Sequence, residues 1–157
     1  MKIVLVVVGK TSTPYIASAV EEYAKRINRY VPFEIVTIPD LKASRGLTEE
    51  AQKQKEGAAI LAALQPGDHV VLLDEHGREL TSRMFSTEID RLMVRGLKRT
   101  VYVVGGPYGF ASEVYDRADS KLSLSRMTFT HEMVRLFFTE QVYRAMTILR
   151  GEPYHHD

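Results

Sequence analysis

Ile3-Val4-Leu5-Val6-Val7-Val8 is a run of six apolar residues closed by Gly9-Lys10. Six is too short for the apolar core of a secretory signal, and the run ends in a turn, so it reads as a strand. Its residues are continuously apolar, as are Val70-Val71-Leu72-Leu73. A strand without a polar face is covered on both sides, which is the situation of strands in a parallel sheet. These two runs decide the fold class.

Working outward, the pattern predicts strands at Lys2–Val8, Phe33–Ile38, His69–Leu73, Thr100–Val104 and Lys121–Ser125. Helical stretches lie between them. The first has Thr13 as N-cap and Pro14 in the first turn, with Ile16, Val20, Tyr23, Ile27 and Tyr30 at helical spacing. The second starts at Thr48, sets Glu49 and Glu50 beside the positive end of its dipole, and stops at Gln65-Pro66-Gly67-Asp68. The third begins at Thr81 or Ser82 and places Phe85, Ile89, Leu92 and Met93 on one face. A short fourth helix follows Ser112. The last runs from His131 to Arg150, with Gly151 as C-terminal cap and Pro153 behind it. This alternation predicts one α/β domain over residues 1–157, a mainly parallel sheet flanked by helices. The pattern does not fix strand order.

Composition narrows the function. The 157 residues are 45% hydrophobic and 26% charged, which excludes a disordered chain, a collagen-like repeat and a coiled coil. There is no cysteine, so disulfides, thiolate metal sites and a cysteine nucleophile are excluded. No run approaches the length of a membrane span. The expectation is a soluble, cytoplasmic protein. Net charge is +1, too small to identify a nucleic-acid binder alone, although nine of the 11 basic residues after position 79 are arginine.

In an open α/β sheet, ligands bind beyond the carboxyl ends of the strands. After the first strand, Gly9-Lys10-Thr11-Ser12-Thr13 lacks either phosphate-cradling glycine pattern, which disfavours a flavodoxin-like or nicotinamide-dependent enzyme. After the third comes Asp74-Glu75-His76-Gly77-Arg78-Glu79-Leu80, read as a polar turn. After the fourth comes Gly105-Gly106-Pro107-Tyr108-Gly109-Phe110, where three glycines in five residues admit close backbone approach to a ligand. After the fifth comes Arg126-Met127-Thr128-Phe129-Thr130-His131. Three consecutive strand ends thus define one rim. His69 reads as structural, and His155-His156 has no partners at metal-ligand spacing, so no metal is expected.

Four segments carry a family resemblance: Leu72 to Gly77, Gly105 to Gly109, Leu122 to Thr128, and the tail Gly151-Glu152-Pro153-Tyr154-His155. They resemble the RlmH-type family of SPOUT-superfamily methyltransferases, and the likeness runs over essentially the whole chain. The family methylates N3 of a pseudouridine in bacterial 23S ribosomal RNA. The resemblance implies a C-terminal trefoil knot, a homodimer and S-adenosyl-L-methionine held in the knot loops, with 23S rRNA in the ribosome as partner. Carried over by motif, the cofactor site falls on Leu73, Gly105, Leu124, Ser125, Arg126, Met127, Thr128 and Phe129. These lie at the strand ends selected above. A non-enzymatic ribosome- or nucleotide-binding module on the same scaffold is the alternative.

The tail after Gly151 is expected to be free to fold back or to reach a partner subunit. There Tyr154 can stack on a base, His155 can take a proton, and Arg144 can meet a phosphate or carboxylate. These three are the candidate catalytic residues. On the last helix, Val134, Phe137, Phe138, Val142, Ala145, Met146 and Leu149 form an apolar stripe wide enough to suggest a dimer surface beyond the core.

Overall fold

The computed structural model describes residues 1–40 and 46–157. In chain order the elements are β1 (Lys2–Val8), α1 (Pro14–Ile27), β2 (Phe33–Ile38), α2 (Glu49–Ala63), β3 (His69–Glu79), α3 (Ser82–Val94), β4 (Arg99–Val104), α4 (Ser112–Arg117), β5 (Ser120–Ser123) and α5 (His131–Leu149). The strands form one sheet in the order β2-β1-β4-β3-β5, and every neighbouring pair is parallel.

The apolar runs behave as their composition demands. Along β1, Ile3, Leu5 and Val7 face a core shared with Ile27, Phe85, Ile89, Phe138 and Val142. Val4, Val6 and Val8 face a second core with Ile60, Phe110 and Val114. Helices α1, α3 and α5 therefore cover one side of the sheet, and α2 and α4 cover the other. Among the described residues, no helix is long and apolar enough to cross a membrane.

Three expectations need correction. The polar stretch after Leu73 is not merely a turn, because β3 resumes. Leu73 and Arg78 both stand opposite Leu122, and Glu79 stands opposite Ser123, so Asp74 to Gly77 are extruded between two paired segments. Glycine makes the return possible. A Cβ on Gly77 would lie 2.5 Å from the carbonyl carbon of Leu122 and 2.6 Å from its nitrogen. In turn β5 ends at Ser123, two residues earlier than the pattern suggested.

Second, Thr13 flanks α1, yet its side chain makes no capping hydrogen bond. The cap comes from α5. Glu132 accepts from the Ser12 N–H at 2.7 Å, the Ser12 hydroxyl at 2.7 Å and the Thr13 N–H at 3.2 Å. These donors hold its carboxyl down at about 2. One turn later the buried Arg135 donates to the carbonyls of Val8 (2.7 Å) and Gly9 (2.9 Å) and to the Thr11 hydroxyl (2.9 Å). Burial lowers its pKa, opposed by the charge of Glu132. The 124–130 segment therefore carries the chain from the sheet edge at β5 back to the carboxyl end of β1.

Third, the apolar stripe on α5 is mostly consumed by the protein's own core. Phe138, Val142, Ala145 and Met146 are buried, Val134 and Leu149 pack against them, and Phe137 is the exposed member at 38%. Of the two courses expected for the tail, it takes the first and folds back. Gly151 takes the left-handed conformation at φ 67°, as a C-terminal cap does, and the chain folds back onto α5.

Candidate active site

The segment extruded within β3 and the loops after β4 and β5 surround one cavity of about 1160 Å³, and the first turns of α2 close its side. Leu73, Gly105 and Leu124 through Phe129 all border it. The eight residues singled out as the cofactor site are thus brought together.

Each wall has a local cause. After β4, a Cβ on Gly105 would press on the Phe110 ring at 3.1 Å, and Gly109 sits at φ 79°, where side-chain-bearing residues are strained. The loop closes on itself through the Gly109 N–H donating to the Gly106 carbonyl at 3.2 Å. After β5, the Ser123 hydroxyl donates to the Ser125 carbonyl at 3.1 Å, and the Ser125 hydroxyl accepts from the Met127 N–H at 3.0 Å. These bonds fix a turn that leaves Met127 77% exposed at the mouth. Arg126 is exposed and pairs with Glu79 at 2.9 Å, while Phe129 packs on Phe137 with ring centroids 4.7 Å apart.

In the segment extruded within β3, the Asp74 carboxylate accepts from the Tyr115 hydroxyl at 2.6 Å and from the His76 N–H at 2.8 Å. Burial works to raise its pKa, but these donors hold it below the usual carboxylate value. Burial, followed by the neighbouring Asp74 charge, pushes the Tyr115 hydroxyl up to about 12. Asp74 is therefore committed to fixing the loop.

Arg144, Tyr154 and His155 also come together, but elsewhere. The Tyr154 hydroxyl donates to Glu140 Oε1 at 2.9 Å, and Arg144 holds the same carboxylate at 2.5 Å. The Arg144 guanidinium lies 4.8 Å from the Tyr154 ring centroid and 3.2 Å from His155 Nδ1. His155 Nε2 meets Asp157 at 3.2 Å, and Asp157 is held at both oxygens by Arg83 at 2.7 Å. Burial and the Glu140 bond raise the Tyr154 pKa, so its hydroxyl stays a neutral donor. Farther back, Tyr30 donates to Glu152 at 2.6 Å and ties the tail to the turn that follows α1. At 1.5 Å of rise per residue, Arg144 lies about 15 Å along α5 from Val134, the α5 residue of the cavity lining nearest to it. The catalytic candidates of one chain do not reach that chain's own cavity.

Sequence reasoning missed four residues that organise these sites: Glu56, Glu132, Arg135 and Glu140. For Glu132 and Arg135 a signal existed, since their spacing to Phe138 and Val142 puts them on the buried face of α5. Glu140 and Arg144, four apart, fit the spacing of a helical ion pair.

Three successive strands of a parallel sheet, one followed by a glycine-rich loop, opening on one cavity define an α/β protein with a ligand-sized cavity at its carboxyl rim. A family described as "Predicted SPOUT methyltransferase" matches residues 1–155. The chain belongs to the SPOUT methyltransferase family and is a methyltransferase. Among its relatives, the Ribosomal RNA large subunit methyltransferase H of Parabacteroides distasonis is 57% identical over 157 residues, covering 100% of both chains. The proteins of the same name from Christiangramia forsetii and Bacteroides fragilis are 55% identical over 99% of each chain and 51% identical over 100% of each.

Proposed function

We propose that this protein methylates N3 of a pseudouridine in large-subunit 23S rRNA, with S-adenosyl-L-methionine as donor, working as a cytoplasmic homodimer on the ribosome. The observation that carries this reading is the convergence of Leu73, Gly105 and Leu124–Phe129 on one cavity. The names of its relatives point to the same class of substrate. The residues present fit such a donor: a Cβ on Gly105 would meet the Phe110 ring and one on Gly106 the Glu56 carboxylate, so glycine at both positions keeps a thin backbone wall beside a cavity of about 1160 Å³. When bound, S-adenosyl-L-methionine supplies a methyl group activated by its sulfonium.

The chain's own residues have distinct tasks. The glycine backbone and the Ser125 turn orient the donor, and catalysis then rests chiefly on positioning. Arg144 and Tyr154 hold phosphate and base. His155 is our candidate to receive the N3 proton; its Nδ1 accepts from Arg144 and its Nε2–H faces Asp157, so it must release Arg144 to free the basic nitrogen. Because Arg144, on which Tyr154 and His155 fold, lies about 15 Å along α5 from Val134 at the cavity, the tail of one protomer serves its partner's cavity. We further propose that the crossing of the 124–130 segment, with Gly77 pressed on Leu122, is the trefoil knot. The test is incubation with labelled S-adenosyl-L-methionine and whole ribosomes, large subunits or free rRNA, followed by digestion. Label in a methylated pseudouridine supports the reading, and its absence from all three substrates overturns it.

A further inference from the structure

Glu56 of α2 is 2% exposed, and its carboxylate is only half satisfied. Gln52 donates to Oε1 at 3.0 Å, whereas Oε2 is buried and has no hydrogen-bond partner. The uncovered oxygen points at the wall of the cavity, since a Cβ on Gly106 would lie 2.2 Å from it. Only the glycine backbone separates this oxygen from the space that Gly106 lines. Such an oxygen weakens folding unless a donor or cation is supplied from elsewhere.

The surroundings specify the charge of that missing partner. Among the described residues, Lys53 and Arg126 border the cavity but are already engaged, with Glu50 at 3.0 Å and Glu79 at 2.9 Å. Asp74, Glu49 and Glu75 add negative charge around the same space. A ligand entering here meets a negative field behind a thin glycine wall, where low dielectric sustains the attraction.

We propose that Glu56 makes the cavity selective for a cationic ligand, favouring a sulfonium methyl donor over the neutral thioether left after transfer. This rests on the reading that the cavity holds S-adenosyl-L-methionine. The selectivity favours exchange of spent product for fresh donor. Glu56 acts through the wall and is a positioning residue, not a catalytic one.

The test is calorimetric titration of the full-length protein with S-adenosylmethionine and, separately, S-adenosylhomocysteine. The two ligands share an ammonium group and differ in the sulfonium. Glu56→Gln keeps the shape and removes the charge. Its affinity for S-adenosylmethionine is expected to fall about tenfold, while that for S-adenosylhomocysteine stays within about twofold and the melting temperature does not fall. Glu56→Asp, which keeps the charge, is expected to retain the wild-type preference. Unchanged S-adenosylmethionine affinity in Glu56→Gln, or equal loss of both ligands, overturns the inference while leaving the proposed function standing. A wild-type protein that binds neither ligand overturns both.

Discussion

Replacing Glu132 by Gln tests how α5 is fastened to the rest of the molecule. The substitution keeps one acceptor oxygen for the Ser12 and Thr13 donors and removes the charge that makes those bonds strong. Held at about 2 against an ordinary value of 4.5, the carboxylate contributes at most about 3.4 kcal/mol. Ser12 is exposed, so water screens part of this, and about 2 kcal/mol is the expected loss at pH 7. For a chain of this size that lowers Tm by roughly 4–8 °C. The pH dependence fixes the sign. A depressed carboxyl pKa stabilises above the unfolded value and loses its effect as pH falls through the folded one. The gap between wild type and Glu132→Gln should therefore be full above about pH 5 and close between about pH 4.5 and pH 2. Urea unfolding followed by circular dichroism across that range measures it. Equal midpoints at pH 7, or a gap that stays constant down to pH 2.5, would refute the assignment of the cap to an ionised Glu132.

Gly77→Ala should cost about 1–3 kcal/mol in urea unfolding, since its Cβ meets the Leu122 backbone rather than a movable side chain; wild-type stability would remove that contact from the account. Gly106→Ala should displace Glu56 or the loop, weakening S-adenosylmethionine binding at least about tenfold by calorimetry with Tm little changed. Deleting residues 153–157 should leave donor binding intact while methylation of ribosomes falls at least about tenfold, or about 1.4 kcal/mol in the transition state; full activity would make the tail a bystander. Phe137→Asp should shift light-scattering mass toward a single chain at micromolar concentration, and an unchanged dimer would move the interface elsewhere.

The elements were legible because this sheet is buried on both faces. Ile3–Val8 and Val70–Leu73 carry no polar residue for that reason, and the three rim loops follow from the strand ends. What escaped the sequence was polar and long-range. Glu132 reaches Ser12 across 120 positions and Arg135 reaches Val8 across 127, and no local pattern encodes such a partner. The return of β3 beyond Gly77 was hidden for a similar reason. Asp74-Glu75-His76 has the composition of a turn, and only the Leu122 backbone explains why the strand resumes. Nothing local singles out Glu56, because its burial beneath Gly106 depends on how α2 meets the β4 loop.

The fastening of α5 to the carboxyl end of β1 also sets an order of events during synthesis. Residues 131–135 must meet Val8 to Thr13, with 120 positions between Ser12 and Glu132 and 127 between Val8 and Arg135, in a chain made from the amino terminus onward. Contacts of such sequence separation form slowly, because a long loop must close before they stabilise anything. While the last helix is still within the synthesising ribosome, α1 lacks its cap and the cavity lacks the 124–131 wall. The cavity is therefore complete only once α5 has docked on the carboxyl end of β1.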